Sequence, residues 1–462
     1  MSSRGRDLRL VHGSIFMREL LFESAAAWGV AVKITQAAAV PITALLILLY
    51  FTPTIQGYYY SFASLLALQI FLELGLATVI TTFSSHEWAR LRLDDKGAVV
   101  GDAVALKRLS GLALASFRWY LAAGLILFGV LAIGGTLFFD IPGPGASVEW
   151  RAPWLLLCTA SALTFPLTPV WALLQGCGQI NEVNRYRFID AIGRSLVLWS
   201  GISAGSALWA AGLSALFSAF LAACFLLLRH RWFLASLFAG FDPSFSLHWW
   251  REVFPLQWRI AVSWISGFFA FYLFTPTVFY FSGPEAAGQM GITWAVASGI
   301  SALASTWAQT RAPQFARLVA ERKFEELDRQ AKHIGIIGVV VSLACGLAAM
   351  GALVVLQDYS PSTAARFLPF GPVVLFLGSD VLHQISVTQA TYLRAFKREP
   401  FMILSLVFGA VIAAGTILLT PTMGVAGPAI SYLVAMIIAL AMATRIFLRA
   451  RKEWTFPRTA RQ

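Results

Sequence analysis

Residues 66–85, "LALQIFLELGLATVITTFSS", form an apolar run with one ionisable side chain, Glu73. A helix of about 20 apolar residues crosses the roughly 30 Å of hydrocarbon in a bilayer. Because a charged side chain at the bilayer centre costs about 2.5–3.5 kcal/mol on insertion scales, we expect Glu73 to face protein or water and not lipid. The run therefore predicts a membrane span that holds one acidic side chain in a protected position.

The rest of the chain has the same apolar character. Of its 462 residues, 58% are hydrophobic and 13% are charged, whereas soluble domains average about 25% charged residues. Mean hydropathy is +0.71. The sequence therefore predicts an all-α polytopic membrane protein with about twelve transmembrane helices. Hydropathy places these spans at about 28–52, 57–84, 119–140, 153–176, 189–206, 208–228, 258–281, 286–310, 334–356, 369–393, 401–420 and 425–446.

The net charge of +12 also suits a nucleic-acid-binding protein, but the basic residues lie in short loops between apolar runs. If the N-terminus is cytoplasmic, every Lys and Arg except Lys33, Arg151 and Arg366 falls in a cytoplasmic segment. This asymmetry follows the positive-inside rule. It predicts a multi-pass protein of the inner (cytoplasmic) membrane with both termini cytoplasmic, and no nucleic acid among its partners.

The sequence carries no pattern typical of a cofactor site. Its four cysteines lie in or at the ends of apolar runs and lack metal-ligand spacing. It contains no nucleotide-binding loop, zinc motif or nucleophile elbow. We therefore predict no cofactor, no metal ion and no catalytic residue, and a function that is not enzymatic. The first apolar run has no small-residue cleavage site, so we expect a retained span and not a signal peptide.

A long polar connection after the sixth span divides the predicted spans into six and six. We predict an interfacial segment at 1–26, six-helix bundles at 27–230 and 258–447, a cytoplasmic linker at 231–257 and a basic tail at 448–462. The stretch "RLRLDDKGAVVGDAVALKRL" after the second span is interpreted as a second, more polar interfacial connector. Duplicated bundles of this kind place a substrate site near the bilayer midplane.

Several short motifs follow one another along the chain in a characteristic order. They are "FLELGL" in span two, "LLQGCGQIN" after span four, "GPEAAGQMG" before span eight and "GVAGPAISYLVAMI" in span twelve. From about residue 25 to 450 the chain resembles the polysaccharide and lipid-linked oligosaccharide exporters, flippase-like members of the multidrug/oligosaccharidyl-lipid/polysaccharide (MOP) superfamily. The resemblance implies two six-helix bundles around a central cavity and transport by alternating access.

Three ionisable side chains lie within predicted spans at depths that suggest ion coupling or gating: Glu73, Asp380 and His383. Glu73 either takes up a proton or cation in a cavity, or is a neutral acid hydrogen-bonded between helices. Asp380 and His383 are three residues apart on one helical face, so they form either a titratable pair or a structural one. A stripe of small polar side chains in the eighth span indicates helix packing or, alternatively, cavity lining: Ser298, Ser301, Ser305 and Gln309.

Three further side chains are candidates for binding an anionic substrate: Lys33, Gln36 and Arg259. Lys33 lies near the cytoplasmic end of span one with Gln36 on the same face, and it either snorkels to the interface or points into the cavity. Arg259 opens span seven, either as an ordinary interfacial arginine or as a guanidinium that receives diphosphate oxygens.

The leading hypothesis is a transporter that moves a lipid-linked oligosaccharide or polysaccharide precursor, or another anionic amphiphile, across the cytoplasmic membrane. Membrane lipids and glycan-assembly enzymes are the partners that this hypothesis implies. The acids Glu73 and Asp380 keep open a cation-coupled multidrug exporter of the same superfamily. A membrane-embedded glycan polymerase or ligase is disfavoured, because the predicted outer loops are short.

Overall fold

The computed structural model describes residues 4–141, 148–239, 254–396, 398 and 401–455, and only the backbone at 4–26, 255, 256, 259, 263 and 455. Helices account for every long element of this range, so the predicted fold class, an all-α polytopic membrane protein, is confirmed. The predicted tail at 448–462 lies partly outside the described residues, and so does the predicted linker at 231–257.

The helices of the first part of the chain are α1 (Arg4–Tyr50), α2 (Pro53–Leu66), α3 (Ile70–Glu73), α4 (Leu76–Trp88), α5 (Ala103–Gly129), α6 (Gly135–Asp140), α7 (Arg151–Thr164), α8 (Thr168–Gly176), α9 (Ile180–Ser203), α10 (Trp209–Arg229) and α11 (Arg231–Ala239). A π-helical turn at 130–134 joins α5 to α6. Local sequence explains where helices begin. At α2, Thr52 accepts a hydrogen bond from the backbone N–H of Ile55, and Pro53 occupies the first helical position.

The helices of the second part are α12 (Phe254–Phe271), α13 (Phe274–Ala320), α14 (Phe324–Tyr359), α15 (Pro361–Ala364), α16 (Phe370–Arg394), α17 (Met402–Met423) and α18 (Ala426–Thr455). The predicted tenth span, 369–393, differs from α16 by one residue at each end. The predicted interfacial segment at 1–26 does not end before span one, because α1 continues without a break to Tyr50.

The described helices match the twelve predicted spans in order. Nine helical stretches of the described range are long and apolar enough to cross a membrane, and a tenth is the broken pair Pro53–Glu73 and Leu76–Trp88. One of the nine, Ile260–Ala320, contains Gly283, whose φ of 87° is not helical, so this stretch accounts for spans seven and eight. The fifth span corresponds to α9, whose charged side chains lower its hydropathy.

The first part of the connector after span two forms a β-hairpin, and its predicted place at the membrane interface stays a prediction. Strands β1 (Leu91–Leu93) and β2 (Val99–Gly101) pair antiparallel. The turn between them is held by Asp94, whose Oδ1 accepts hydrogen bonds from the backbone N–H groups of Lys96 and Ala98 at 2.9 and 2.7 Å. Aspartate side chains stabilise turns in this way, so the local turn chemistry explains the hairpin.

Contacts divide the chain into two compact units. Unit 1 contains residues 1–39, 75–134 and 151–258, and unit 2 contains residues 40–74, 135–150 and 259–462. These units are defined by contacts and not by chain order, so the predicted domain boundaries stay a prediction.

Unit 1 is held by contacts between α4, α5, α7, α8, α9 and α10. Trp171 of α8 stacks on Tyr186 of α9 with ring centroids 4.1 Å apart. Trp154 of α7 is fully buried, and its indole N–H donates to the Leu131 carbonyl in the π-helical turn at 3.0 Å. This hydrogen bond ties α7 to the π-helical turn.

Unit 2 is built on the close approach of α2 to α13, with α14, α16, α17 and α18 packed around it. A methyl group on Gly57 would lie 1.8 Å from the Pro284 carbonyl oxygen, and one on Gly291 would lie 2.3 Å from the Tyr60 side chain. Small residues at such positions let membrane helices pack backbone to backbone. We conclude that glycine is required at both positions for this packing.

Candidate functional site

Asp380 lies on α16 with only 3% of its surface exposed. Its Oδ2 accepts a hydrogen bond from Ser342 Oγ of α14 at 2.6 Å, and its Oδ1 accepts one from Gln384 Nε2 at 3.4 Å. Each carboxylate oxygen therefore has a donor inside the protein. A buried polar group that is satisfied in this way is tolerated within a membrane span.

His383 and Ser301 complete this arrangement, which we call the Asp380 cluster: Asp380, His383, Gln384, Ser301 and Ser342. His383 Nδ1 lies 3.8 Å from Asp380 Oδ1 and 3.2 Å from Ser301 Oγ of α13. Gln384 Nε2 also donates to Ser301 Oγ at 3.2 Å. The structure thus places Asp380 beside His383, as the sequence predicts, and connects both to a serine of the predicted stripe.

The two ionisable members of the cluster differ in access. The His383 side chain is 26% exposed, whereas the Asp380 side chain is 5% exposed. The imidazole therefore lies at the accessible edge of the cluster, and the carboxylate lies inside it.

Glu73 lies at a break in the second span, which we call the Glu73 break: residues 70–76. Leu74 and Gly75 both have left-handed backbone conformations, with φ of 49° and 67°, so α3 ends at Glu73 and α4 starts at Leu76. Glycine adopts this conformation readily, whereas leucine does so at a cost. Broken helices within membrane spans are typical of transporters that bind substrates or ions at such breaks.

The Glu73 side chain is half-buried and differs from Asp380 in its partners. Among the described residues, no hydrogen bond or ion pair involves its carboxylate. Phe71 of the same break packs edge-on against Phe268 and Phe269 of α12, with ring centroids 4.9 and 5.9 Å apart. The second span therefore places an acidic side chain without a described partner at the end of a short helix.

The candidate substrate-binding residues lie in different units. Lys33 and Gln36 belong to α1 in unit 1, and both side chains are exposed. No ion pair with a described residue involves Lys33. Arg259 belongs to α12 in unit 2, but its side chain lies outside the described residues.

Arg366 has a structural role that the sequence did not reveal. It is only 8% exposed, and it donates to the carbonyl oxygens of Phe51 at 2.8 Å and Ile47 at 3.3 Å, at the C-terminal end of α1. It also donates to Gln56 Oε1 at 2.8 Å. Burial lowers the pKa of this guanidinium, but arginine remains charged at physiological pH. Arg366 thus caps the C-terminal end of α1 within unit 2. The sequence signal that could have identified this residue is that it is one of only two cations in the predicted outer loops.

Asp190 was also missed, although it falls in the predicted fifth span. It lies on α9, and Ser218 Oγ of α10 donates to its Oδ1 at 2.6 Å. The pair joins two neighbouring helices of unit 1. Within the described ranges, no group of three or more His, Cys, Asp or Glu side chains is arranged to hold a metal ion.

Comparison with known proteins adds to this picture at the level of the fold. No family model matches the sequence, and no curated protein matches it. Solved structures do match. An inward-facing multidrug resistance MATE family transporter of the MOP superfamily superposes with a TM-score of 0.69 at 14% identity, covering 92% of this chain and 99% of that one.

Two further structures show the same similarity. The lipid II flippase MurJ, in an inward closed conformation, has a TM-score of 0.63 at 13% identity over 92% of this chain and 89% of its own. A MOP superfamily transporter from Pyrococcus furiosus, described as having a binding pocket of reverse polarity, has a TM-score of 0.51 at 15% identity, with coverages of 93% and 96%. The chain therefore has the fold of MOP superfamily transporters, the group that its sequence resembles.

Proposed function

We propose that the protein is a transporter, and not an enzyme, that moves a lipid-linked oligosaccharide or polysaccharide precursor across the membrane by alternating access. The observation that carries the transporter part of the proposal is the Glu73 carboxylate, which has no described partner at a broken span, in a chain with the fold of MOP transporters. An ionisable group inside a span is costly unless it serves a function or is paired. The Glu73 carboxylate has no described partner, which supports a functional role.

The proposed substrate contacts are Lys33, Gln36 and Arg259. Lys33 and Gln36 are three residues apart on α1, so they lie on one face of that helix, and both are exposed. An ammonium group attracts a diphosphate, and an amide is able to hydrogen-bond its oxygens or a sugar hydroxyl. Arg259 is kept in this set on the sequence argument alone.

The proposed coupling groups are Glu73, Asp380 and His383. Release of an anionic head group requires the binding site to weaken on the far side of the membrane. A change in the protonation of Glu73, or of the Asp380 cluster, alters the local charge and is able to favour one of two conformations. Asp380 is hydrogen-bonded to Ser342 and Gln384, whereas Glu73 has no described partner. Glu73 is therefore the stronger candidate for the coupling group.

The proposed location is the inner (cytoplasmic) membrane, with both termini in the cytoplasm. The support is the distribution of Lys and Arg along the sequence, since all but three lie in segments on one predicted side. In this location the enzymes that assemble lipid-linked glycans on the cytoplasmic face would supply the substrate.

A cation-coupled multidrug exporter is the second candidate, and one observation favours it. The Glu73 carboxylate is free of described partners and is therefore able to bind a lipophilic cation directly. The two candidates differ in the sign of the charge that the site must recognise.

Binding measurements separate the two candidates. The protein in nanodiscs is titrated with a polyprenyl-diphosphate sugar and, separately, with a lipophilic cation of similar size. We expect saturable binding of the diphosphate lipid. Saturable binding of the cation alone would overturn the flippase proposal and leave the multidrug exporter.

Charge-removing variants test the proposed contacts. Lys33→Gln and Arg259→Gln are expected to weaken binding of the diphosphate lipid by about fivefold each, since one cation near the interface contributes about 1 kcal/mol. Lys96→Gln is the matched control, because Lys96 is an exposed lysine in the hairpin turn. Equal affinity of Lys33→Gln and Lys96→Gln would remove Lys33 from the site.

A further inference from the structure

A cavity of about 530 Å³ lies between α14, α16 and α18, all within unit 2. Its volume falls within the range of about 300–1,000 Å³ that ligand pockets occupy. Most of the lining is apolar, with Ile336, Val340 and Ile385 along its length and Phe447 contributing from α18. Of the groups assigned to the proposed transport site, those with described side chains do not line this cavity.

The cavity is a groove that opens on the outer surface of the helices. Ile336 and Val340 are one turn apart on α14 and are 53% and 56% exposed. Both belong to a stretch that is long and apolar enough to cross a membrane. Exposed apolar side chains at such positions face hydrocarbon, so the groove is open to lipid chains of the bilayer.

One end of the groove is polar. There Asp328 of α14 accepts hydrogen bonds from Tyr392 Oη at 2.8 Å and from Arg451 Nε at 3.1 Å. A second nitrogen of Arg451 also bonds to the same carboxylate. The acid is therefore already neutralised by a cation of the protein, and the three residues join the ends of α14, α16 and α18.

Lys332 adds an uncompensated positive charge to this end. It lies one turn after Asp328 on α14, it lines the groove, and its side chain is exposed. Among the described residues it has no ion pair. Together with Arg451 it supplies two cations against one carboxylate, at helix ends that the distribution of Lys and Arg predicts to be cytoplasmic.

We propose that this groove binds one anionic phospholipid of the bilayer. An acyl chain lies along Ile336, Val340 and Ile385, and the phosphate lies at Lys332 beside Arg451. Basic pockets between membrane helices on the cytoplasmic side recognise acidic head groups in this way. The occupant is a lipid of the surrounding leaflet and not the transported molecule, so the inference is independent of the proposed function.

The head-group half of the proposal is tested by native mass spectrometry of the purified chain titrated with phosphatidylglycerol or phosphatidylcholine. We expect Lys332→Gln to weaken phosphatidylglycerol binding by about fivefold, from a loss of about 1 kcal/mol per basic residue. Phosphatidylcholine carries the same phosphate beside a choline cation, so its binding should be weaker than that of phosphatidylglycerol and should change less in this variant. Lys452→Gln is the matched control, because Lys452 is an exposed lysine of α18 outside the groove lining.

The acyl-chain half is tested by filling the groove. Val340→Trp is expected to abolish the bound phosphatidylglycerol, whereas Leu347→Trp should retain it. Leu347 lies two turns further along α14, is 60% exposed and does not line the groove. Size-exclusion profiles of both variants check that the added indole leaves the fold intact.

Three results would overturn the proposal. Equal affinities for the two phospholipids would show that the basic end does not recognise a head group. Equal lipid retention by Val340→Trp and Leu347→Trp would place the bound lipid elsewhere. The third result comes from a competition assay, in which an equimolar polyprenyl-diphosphate sugar is added to the phosphatidylglycerol complex. If the sugar lipid displaces phosphatidylglycerol from the groove, and if Val340→Trp abolishes binding of that sugar lipid, the transported molecule is the occupant. Because the assay measures only lipid binding, it is unaffected if the chain proves to export drugs.

Discussion

Glu73 and Asp380 are both acids within predicted spans of unit 2, yet their surroundings are opposite. Asp380 is 3% exposed and accepts hydrogen bonds from Ser342 and Gln384. Glu73 is half-buried at a break in its helix and has no described partner. The comparison teaches that depth in a span does not define the role of an acid. Its hydrogen-bond partners distinguish an acid that joins helices from one that is available to a proton or a cation.

The largest effect on stability is expected from Asp380→Ala. It removes the acceptor shared by Ser342 and Gln384 and leaves the buried Ser342 hydroxyl without a described partner, so the free energy of unfolding should fall by about 2–3 kcal/mol. Reversible unfolding in mixed micelles measures this change. Asp380→Asn keeps an oxygen for Ser342 Oγ and should lose less than half as much. A stable Asp380→Ala variant would contradict the structural role of the cluster.

The second effect concerns the backbone of the Glu73 break. Gly75→Ala places a side chain at φ 67° and should cost about 1–2 kcal/mol of unfolding free energy. Gly129→Ala is the control, because Gly129 ends α5 with open space where the methyl group would go. If both variants are equally stable, the left-handed conformation at Gly75 is not required by the fold.

Glu73→Gln should separate function from stability. With no described partner to lose, its unfolding free energy should change by less than about 0.5 kcal/mol. The rate of transport into proteoliposomes should nevertheless fall by about fivefold or more. A fivefold change corresponds to about 1 kcal/mol, the lower end of the range of allosteric coupling energies. Glu149→Gln, a change at an exposed acid before α7, should leave both quantities unchanged. A Glu73→Gln variant with full transport would show that the unpaired acid has no role in coupling.

A smaller loss of stability than that of Asp380→Ala is expected from Ser342→Ala, which removes one donor to Asp380. Hydrogen bonds between membrane helices average about 0.6 kcal/mol and reach about 1.7 kcal/mol, so the loss should fall in that range. Ser298→Ala is the control, because Ser298 Oγ bonds only to a carbonyl of its own helix. A loss equal to that of Asp380→Ala would mean that Ser342 is the main support of the carboxylate.

The spans were largely predictable because hydropathy is a property of consecutive residues. The predicted fourth span, 153–176, corresponds to α7 and α8 at 151–176, and the loop predicted between spans seven and eight contains the non-helical Gly283. The β-hairpin within the connector at 90–109 was not predicted, since its turn at Asp94 depends on two hydrogen bonds from the backbone to the side chain. Such bonds leave no mark in the hydrophobic pattern.

The candidate sites were predictable only in part. The spacing of Asp380 and His383 placed them on one helical face, and in the structure His383 Nδ1 lies 3.8 Å from Asp380 Oδ1. Nothing in the sequence connected Ser342 with Asp380, because they lie 38 residues apart on different helices. Arg366 counted as an ordinary loop cation, although its carbonyl partners at the end of α1 lie more than 300 residues away along the chain.

The sequence alone determined that this chain is an all-α membrane protein with about twelve spans, which of its acids lie within them and where its cations are concentrated. These properties depend on each residue's free energy of transfer from water to hydrocarbon, which is set by its own side chain and its near neighbours. The tertiary structure decided that Asp380 is paired, that Glu73 at a helix break has no partner among the described residues, and that Arg366 caps α1. Those outcomes depend on donors and acceptors that only folding brings together.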